Sequence, residues 1–120
     1  VIELSQSFGF EAAHTLARAV EAEASARVHG HSYRAELVLR GEADPSSGML
    51  VDLGIVANAV GMLRERLDHR LLDGVEGLGQ GTMENLAVWI YMEAKPALPA
   101  LARVVVRRES LGQVCSYEPG

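Results

Sequence analysis

Cysteine is nearly absent from this chain: Cys115 stands alone. An internal disulfide is excluded, and a reducing compartment, the cytoplasm, is the expected location. Long apolar runs are missing too, and no signal-peptide pattern opens the sequence, so no membrane partner is expected. Basic charge is not in excess. With 11 Lys and Arg against 16 Asp and Glu, the net charge is −5, which argues against a broad nucleic-acid surface. There is no internal repeat, low-complexity tract or linker, so residues 1–120 read as a single domain. What is present is an ordinary globular balance of 48% hydrophobic and 22% charged residues, in a chain long enough to enclose a core.

Hydrophobic periodicity divides the chain. Residues 2–13 predict a strand in which Phe8, Phe10 and Ala12 share one parity with His14. Residues 31–40 predict a second, with Tyr33, Ala35, Leu37 and Leu39 alternating against Ser32, Arg34, Glu36 and Val38. The intervening residues 15–28, rich in Ala, Glu and Arg, read as an irregular or partly helical excursion, long enough to suggest function. Residues 53–67 carry Ile55, Val56, Ala59, Val60, Met62, Leu63 and Leu67 at helical spacing behind an Asp52 N-cap. A second helix is predicted from Met83 to about Lys95, with Thr82 as N-cap, Pro96 as stop, and a buried stripe of Leu86, Trp89, Ile90 and Ala94, Glu93 lying at its edge. Residues 102–109 and 113–118 predict a hairpin turning at Gly112. The order ββααββ implies an α+β fold, a four-stranded antiparallel sheet with both helices on one face. Such a sheet leaves open edges, so a partner, most simply another copy of the chain, is expected to cover them.

The four histidines are the chemically informative residues. His29 and His31, two apart at a strand start, project to the same side. His14 ends the preceding strand, so antiparallel pairing brings all three imidazoles to one end of the sheet. Three neutral nitrogens with an open fourth position describe a catalytic zinc site, and no cysteine lies nearby to close it. A strand histidine on its own is more often packed or hydrogen-bonded; convergence of three favours the metal. His69 follows Asp68 at the end of the first helix. An adjacent carboxylate fixes an imidazole tautomer and prepares it for proton transfer, although such pairs are also common helix-end decorations, and this one works only if the chain turns there. Glu109, following Arg107 and Arg108, reads on its own as a surface ion-pair residue.

Taken together, the stretches FGFEAAH (8–14), HGHSY (29–33), GMLVDLG (48–54), LDHRLLD (67–73), GTMENLA (81–87) and VVVRRES (104–110) resemble the 6-pyruvoyl-tetrahydropterin synthase / 6-carboxy-tetrahydropterin synthase family, in its order and over nearly the whole chain. The resemblance implies a tunnelling fold, in which three sheets join into a barrel and two trimers stack into a homohexamer with active sites between subunits. It implies a zinc-dependent pterin lyase acting on 7,8-dihydroneopterin triphosphate or a related pterin. His14, His29 and His31 match the zinc ligands, Asp68 and His69 the proton-relay pair, Glu109 the pterin anchor, and Thr82 a hydroxyl at the pterin edge. One position departs: where the family carries its catalytic cysteine, four residues before the first His of H-G-H, this chain has Ser25. A neighbouring position that is glutamate in a related subgroup is Ala26. A serine hydroxyl is a far weaker acid than a thiol. A different pterin side-chain reaction, or non-catalytic binding of a pterin or purine, are therefore the alternatives to the lyase.

Overall fold

Two long strands set the reach of the molecule. In the computed structural model, which describes residues Val1–Gly120, β1 (Ile2–His14) and β2 (His29–Gly41) pair antiparallel along their whole length, from Ile2 opposite Gly41 to His14 opposite His29. Thirteen residues each give a ribbon of about 44 Å at ~3.4 Å per residue. The molecule measures 57 × 25 × 25 Å with a radius of gyration of 15.5 Å, above the roughly 13.6 Å of a compact domain this size. The ribbon therefore projects well beyond a rounded outline.

The chain order continues with α1 (Ala22–Ala26) between those strands, then α2 (Leu53–Leu67), β3 (Arg70–Leu71), α3 (Met83–Ala94), β4 (Leu101–Arg108) and β5 (Gln113–Tyr117). The sheet order is β3-β1-β2-β4-β5. This corrects the expected four-stranded antiparallel sheet with two helices: there are five strands, one of them parallel, and three helices. β3 pairs Arg70 and Leu71 parallel to Ala12 and Ala13. Two residues are too few to show an alternating pattern, so this strand was invisible to periodicity. α1 is a five-residue turn of helix, also below the length at which a helical stripe becomes visible. Both long strands extend past the expected ends because His14 and His29 pair directly.

The predicted parity of the strands holds. Phe8, Phe10, Ala12, Tyr33, Ala35, Leu37 and Leu39 are buried beneath α2 and α3, with Val104 and Val106 of β4. Each fully buried large apolar side chain contributes roughly 1.5–3 kcal/mol. Asp52 caps α2 by accepting from the Gly54 N–H at 2.8 Å, and Thr82 caps α3 by accepting from Asn85 N–H at 3.1 Å. α3 buries Leu86, Trp89, Ile90 and Ala94 as expected. α2 buries only Val56, Ala59, Leu63 and Leu67; Ile55 and Met62 face outward, since seven apolar residues span more than the one side the core can cover. The opposite sheet face is ionic: Arg103 and Arg40 reach Glu3, Arg107 reaches Glu36, and Arg34 reaches Glu109.

Candidate metal centre

At the end of the β1–β2 ribbon three imidazoles meet. His14 Nε2 lies 2.9 Å from His29 Nε2 and 3.1 Å from His31 Nε2. The strand register causes this. His14 sits opposite His29, and His31 is two residues further along β2, opposite Ala12, with its side chain on the same face. The far nitrogens of two rings are tied down: His14 Nδ1 donates to the Gly81 carbonyl at 2.7 Å, and His29 Nδ1 donates to the Arg27 carbonyl at 2.8 Å. Those bonds fix the tautomer with the Nε2 lone pairs turned inward. Lone pairs facing one another at such distances repel unless a cation lies among them. Ligand nitrogens around a tetrahedral zinc with 2.0–2.1 Å bonds stand roughly 3.3 Å apart, close to the two separations from His14, and all three ligand atoms lie within 4.8 Å of one another. The three histidines can hold a metal ion.

Their protonation suits that role. His14 is fully buried, and its pKa is lowered by that burial and by the neighbouring His29 and Arg108, against the Gly81 carbonyl and Asp73. His31 is pushed down to about 4, by burial first and then by the charge of Arg108. Both rings are neutral near pH 7, the state in which imidazole binds metal. A Cβ at Gly81 would stand 3.1 Å from both His14 Cβ and Leu72 Cβ, so a side chain there would press those neighbours aside by a few tenths of an ångström.

The histidines open on a cleft of about 290 Å³, which Thr82, Arg18, Glu84 and Arg108 also line. The other expected site residues lie elsewhere on the single chain. The helix ends at Leu67, Asp68 is extended, and His69 adopts a left-handed conformation with φ 57°. The chain thus makes the turn that the pair requires, and His69 Nδ1 lies 3.1 Å from Asp68 Oδ1. Asp68 also accepts from the Glu11 N–H at 2.9 Å and from Arg64 at 3.1 Å. Its pKa is lowered, most by that backbone bond and then by His69 and Arg64. His69 is 80% exposed and lines a depression that also touches His31. Glu109 lies in a third depression with Gly9, Glu11 and Ser32, paired with Arg34 at 2.9 Å. Ser25 is buried in α1, its carbonyl accepting from Leu16 N–H, and it lines none of these three depressions.

Sequence reasoning missed Arg108, Arg18 and Gly81. In the sequence Arg108 is simply the residue before Glu109, whereas strand alternation sends adjacent residues to opposite faces. Arg107 goes to the ionic face and Arg108 to the histidine cleft; the parity of β4 could have told them apart.

Fold and site together define an α+β protein of the tunnelling fold with three converging imidazoles that could hold a metal ion. The chain belongs to the 6-pyruvoyl tetrahydropterin synthase family, whose model matches residues 3–120. It is 31% identical over 107 residues to 6-carboxy-5,6,7,8-tetrahydropterin synthase of Synechocystis, covering 84% of this chain and 81% of that one. It is 33% identical over 90 residues to dihydroneopterin monophosphate aldolase of Pyrococcus furiosus, covering 75% and 72%. The solved structure of Caenorhabditis elegans 6-pyruvoyl tetrahydropterin synthase superimposes with a TM-score of 0.84 at 25% identity, over 99% of this chain and 96% of that one.

Proposed function

We propose that this protein is a zinc-dependent pterin lyase that acts on 7,8-dihydroneopterin triphosphate or a related dihydropterin, with 6-carboxy-tetrahydropterin as the favoured product. The observation that carries this reading is the meeting of three imidazoles, two of them held by backbone carbonyls, at the mouth of a cleft. A protein that merely bound pterin would need an anchoring carboxylate but no such centre.

When bound, the metal supplies Lewis-acid polarisation of a hydroxyl or carbonyl oxygen on the substrate side chain. The chain's own residues do the rest. The Thr82 oxygen already accepts the Asn85 N–H, which leaves its hydroxyl proton to donate to the pterin edge. The two oxygens of Glu109 accept from the ring amino group and the adjacent N–H, a bidentate fit. Asp68 holds His69 Nδ1, so Nε2 is the nitrogen that takes a proton from the substrate side chain and returns it. A single chain places these groups in three depressions. A homohexamer, two trimers of joined sheets, would gather them into shared pockets, and the open outer edge of β1 beyond the two-residue β3 supports such joining. A cytoplasmic location fits the single unpaired cysteine.

Ser25 favours a second reading. Where the family carries a thiol this chain has a buried hydroxyl, so a different side-chain reaction, such as the aldol cleavage named for the Pyrococcus relative, is the alternative. Incubating zinc-loaded protein with 7,8-dihydroneopterin triphosphate and with dihydroneopterin monophosphate, followed by mass spectrometry, decides. Formation of 6-carboxy-tetrahydropterin supports the lyase, a shortened pterin from the monophosphate supports the second reading, and tight binding without turnover leaves a binding protein. Ser25→Cys should raise the lyase rate by about tenfold or more if the thiol is all that is missing.

A further inference from the structure

The arginines of β2 and β4 fall into two groups. Arg34, Arg40, Arg103 and Arg107 each pair with a glutamate on the ionic face. Arg108 pairs with none, and its Nε is buried without a hydrogen-bond partner. Only one other buried side-chain polar atom in the molecule shares that condition, the hydroxyl of Tyr33. Tyr33's ring lies 6.0 Å from the Arg108 guanidinium and 5.8 Å from the His31 ring. The two groups are near enough for the Arg108 guanidinium to act on the Tyr33 hydroxyl, yet neither atom makes a hydrogen bond of normal geometry, and both border the histidine cluster. Buried polar groups without partners are costly, and in a native protein they mark a place where a ligand or ordered water completes the bonding.

The charges around the cleft point the same way. The chain carries a net charge of −5, yet this cleft is lined by Arg18 and Arg108, and the N-terminus of α3 opens onto it through Thr82 and Met83. Glu84 is the one carboxylate in its wall. Imidazole ligands bring no negative charge to a divalent ion, and Arg108 lines the same cleft as His14, His29 and His31. A metal ion and a guanidinium in one partly enclosed space repel each other unless an anion lies between them. A helix N-terminus adds further attraction for that anion, and the guanidinium fork matches an oxyanion in geometry.

We propose that Arg108 is the specificity-determining residue of the cleft: it holds a phosphate or carboxylate group on the ligand side chain beside the metal, and so selects an anionic pterin over a neutral one. The pterin part of this inference rests on the function proposed above; the oxyanion part does not. The test uses zinc-loaded protein in calorimetric titrations. Wild type should bind dihydroneopterin monophosphate at least about tenfold more tightly than unphosphorylated dihydroneopterin. Arg108→Met should reduce that preference to about twofold or less while zinc content and affinity for the neutral pterin are kept, and Arg108→Lys should restore part of it. Inorganic phosphate and acetate form the pterin-free arm: phosphate affinity should fall about tenfold in Arg108→Met, and a stronger response to acetate than to phosphate would identify a carboxylate as the natural group. Should Arg108→Met prove unstable, Arg108→Gln takes its place with the same expectation. An unchanged phosphate preference in these variants, or phosphate binding equal to wild type, overturns the assignment. If neither pterin binds wild type, the proposed function falls, while the phosphate arm still judges Arg108.

Discussion

Two histidine sites on this chain are built in opposite ways. At the strand end, His14 is completely buried, its Nδ1 is held by the Gly81 carbonyl, and its Nε2 is aimed at the other two imidazoles. At the helix end, His69 is 80% exposed and held by its backbone, whose N–H donates to Glu11 at 2.6 Å, and by Asp68. The first arrangement suits a ligand set, in which any rotation of a ring breaks a bond to the metal. The second leaves one face of the imidazole open to something arriving from outside. In the function proposed above, the contrast separates holding an ion from moving a proton: the three imidazoles meet within one chain, while the open side of His69 waits for a group from outside it.

The largest effect should come from breaking the first site. His29→Ala/His31→Ala should abolish stoichiometric metal, measured by elemental analysis of protein purified without chelators, whereas His69→Ala should retain it. Full metal retention in the double variant would erase the distinction. Next, His69→Ala should lower turnover of a productive pterin on the order of 10²-fold or more, as expected for loss of a general acid–base group, with metal content unchanged. Equal loss of metal and turnover would mean that His69 serves the centre structurally. Third, Gly81→Ala should weaken zinc affinity by about tenfold, the low end for disturbing a partner that orients a ligand, read by competition with a chelating dye; unaltered affinity would mean that the loop yields without moving His14. The smallest effect is one of pH. Because burial lowers the His14 pKa and brings His31 to about 4, the unfolded chain binds protons that the folded metal-free protein refuses. Stability of the metal-free protein should therefore fall as pH drops from the unfolded histidine value near 6.5 toward 4, and the loss ends below the folded values. Thermal melts of His31→Gln should show a shallower slope over that window, and a slope equal to wild type would contradict the burial argument.

Much of this was legible in the sequence, for local reasons. Alternation along residues 31–40 told which side of the sheet is buried, and the H-x-H spacing required His29 and His31 to share a side. Capping by Asp52 and Thr82 follows from their hydrogen-bonding chemistry, and the structure has both. The rest depends on contacts between distant segments. Nothing near Gly81 announces that its carbonyl meets a ring 67 residues away. β3 exists because the turn at His69 lays two residues beside the end of β1, an event set by tertiary geometry and not by propensity. Glu109 read on its own suggested a surface ion pair, and Arg34 supplies one; its anchoring role belongs to the proposed complex.

The register of the ribbon has a consequence for how this chain can change in length. His14 faces His29 across an unbroken ladder, and the β2–β4 pairing shifts only at Val38 and Leu39, far from the histidines. Inserting or deleting one residue within β1 or the first half of β2 would send an imidazole through the sheet to the ionic side. The connection between them, residues 15–28, leaves and re-enters the ladder at that same histidine pair, so it can gain or lose residues without altering which side chains meet. Length variation is thus confined to the connection by the arithmetic of alternation, and the two strands act as a fixed ruler for the three imidazoles they bring together.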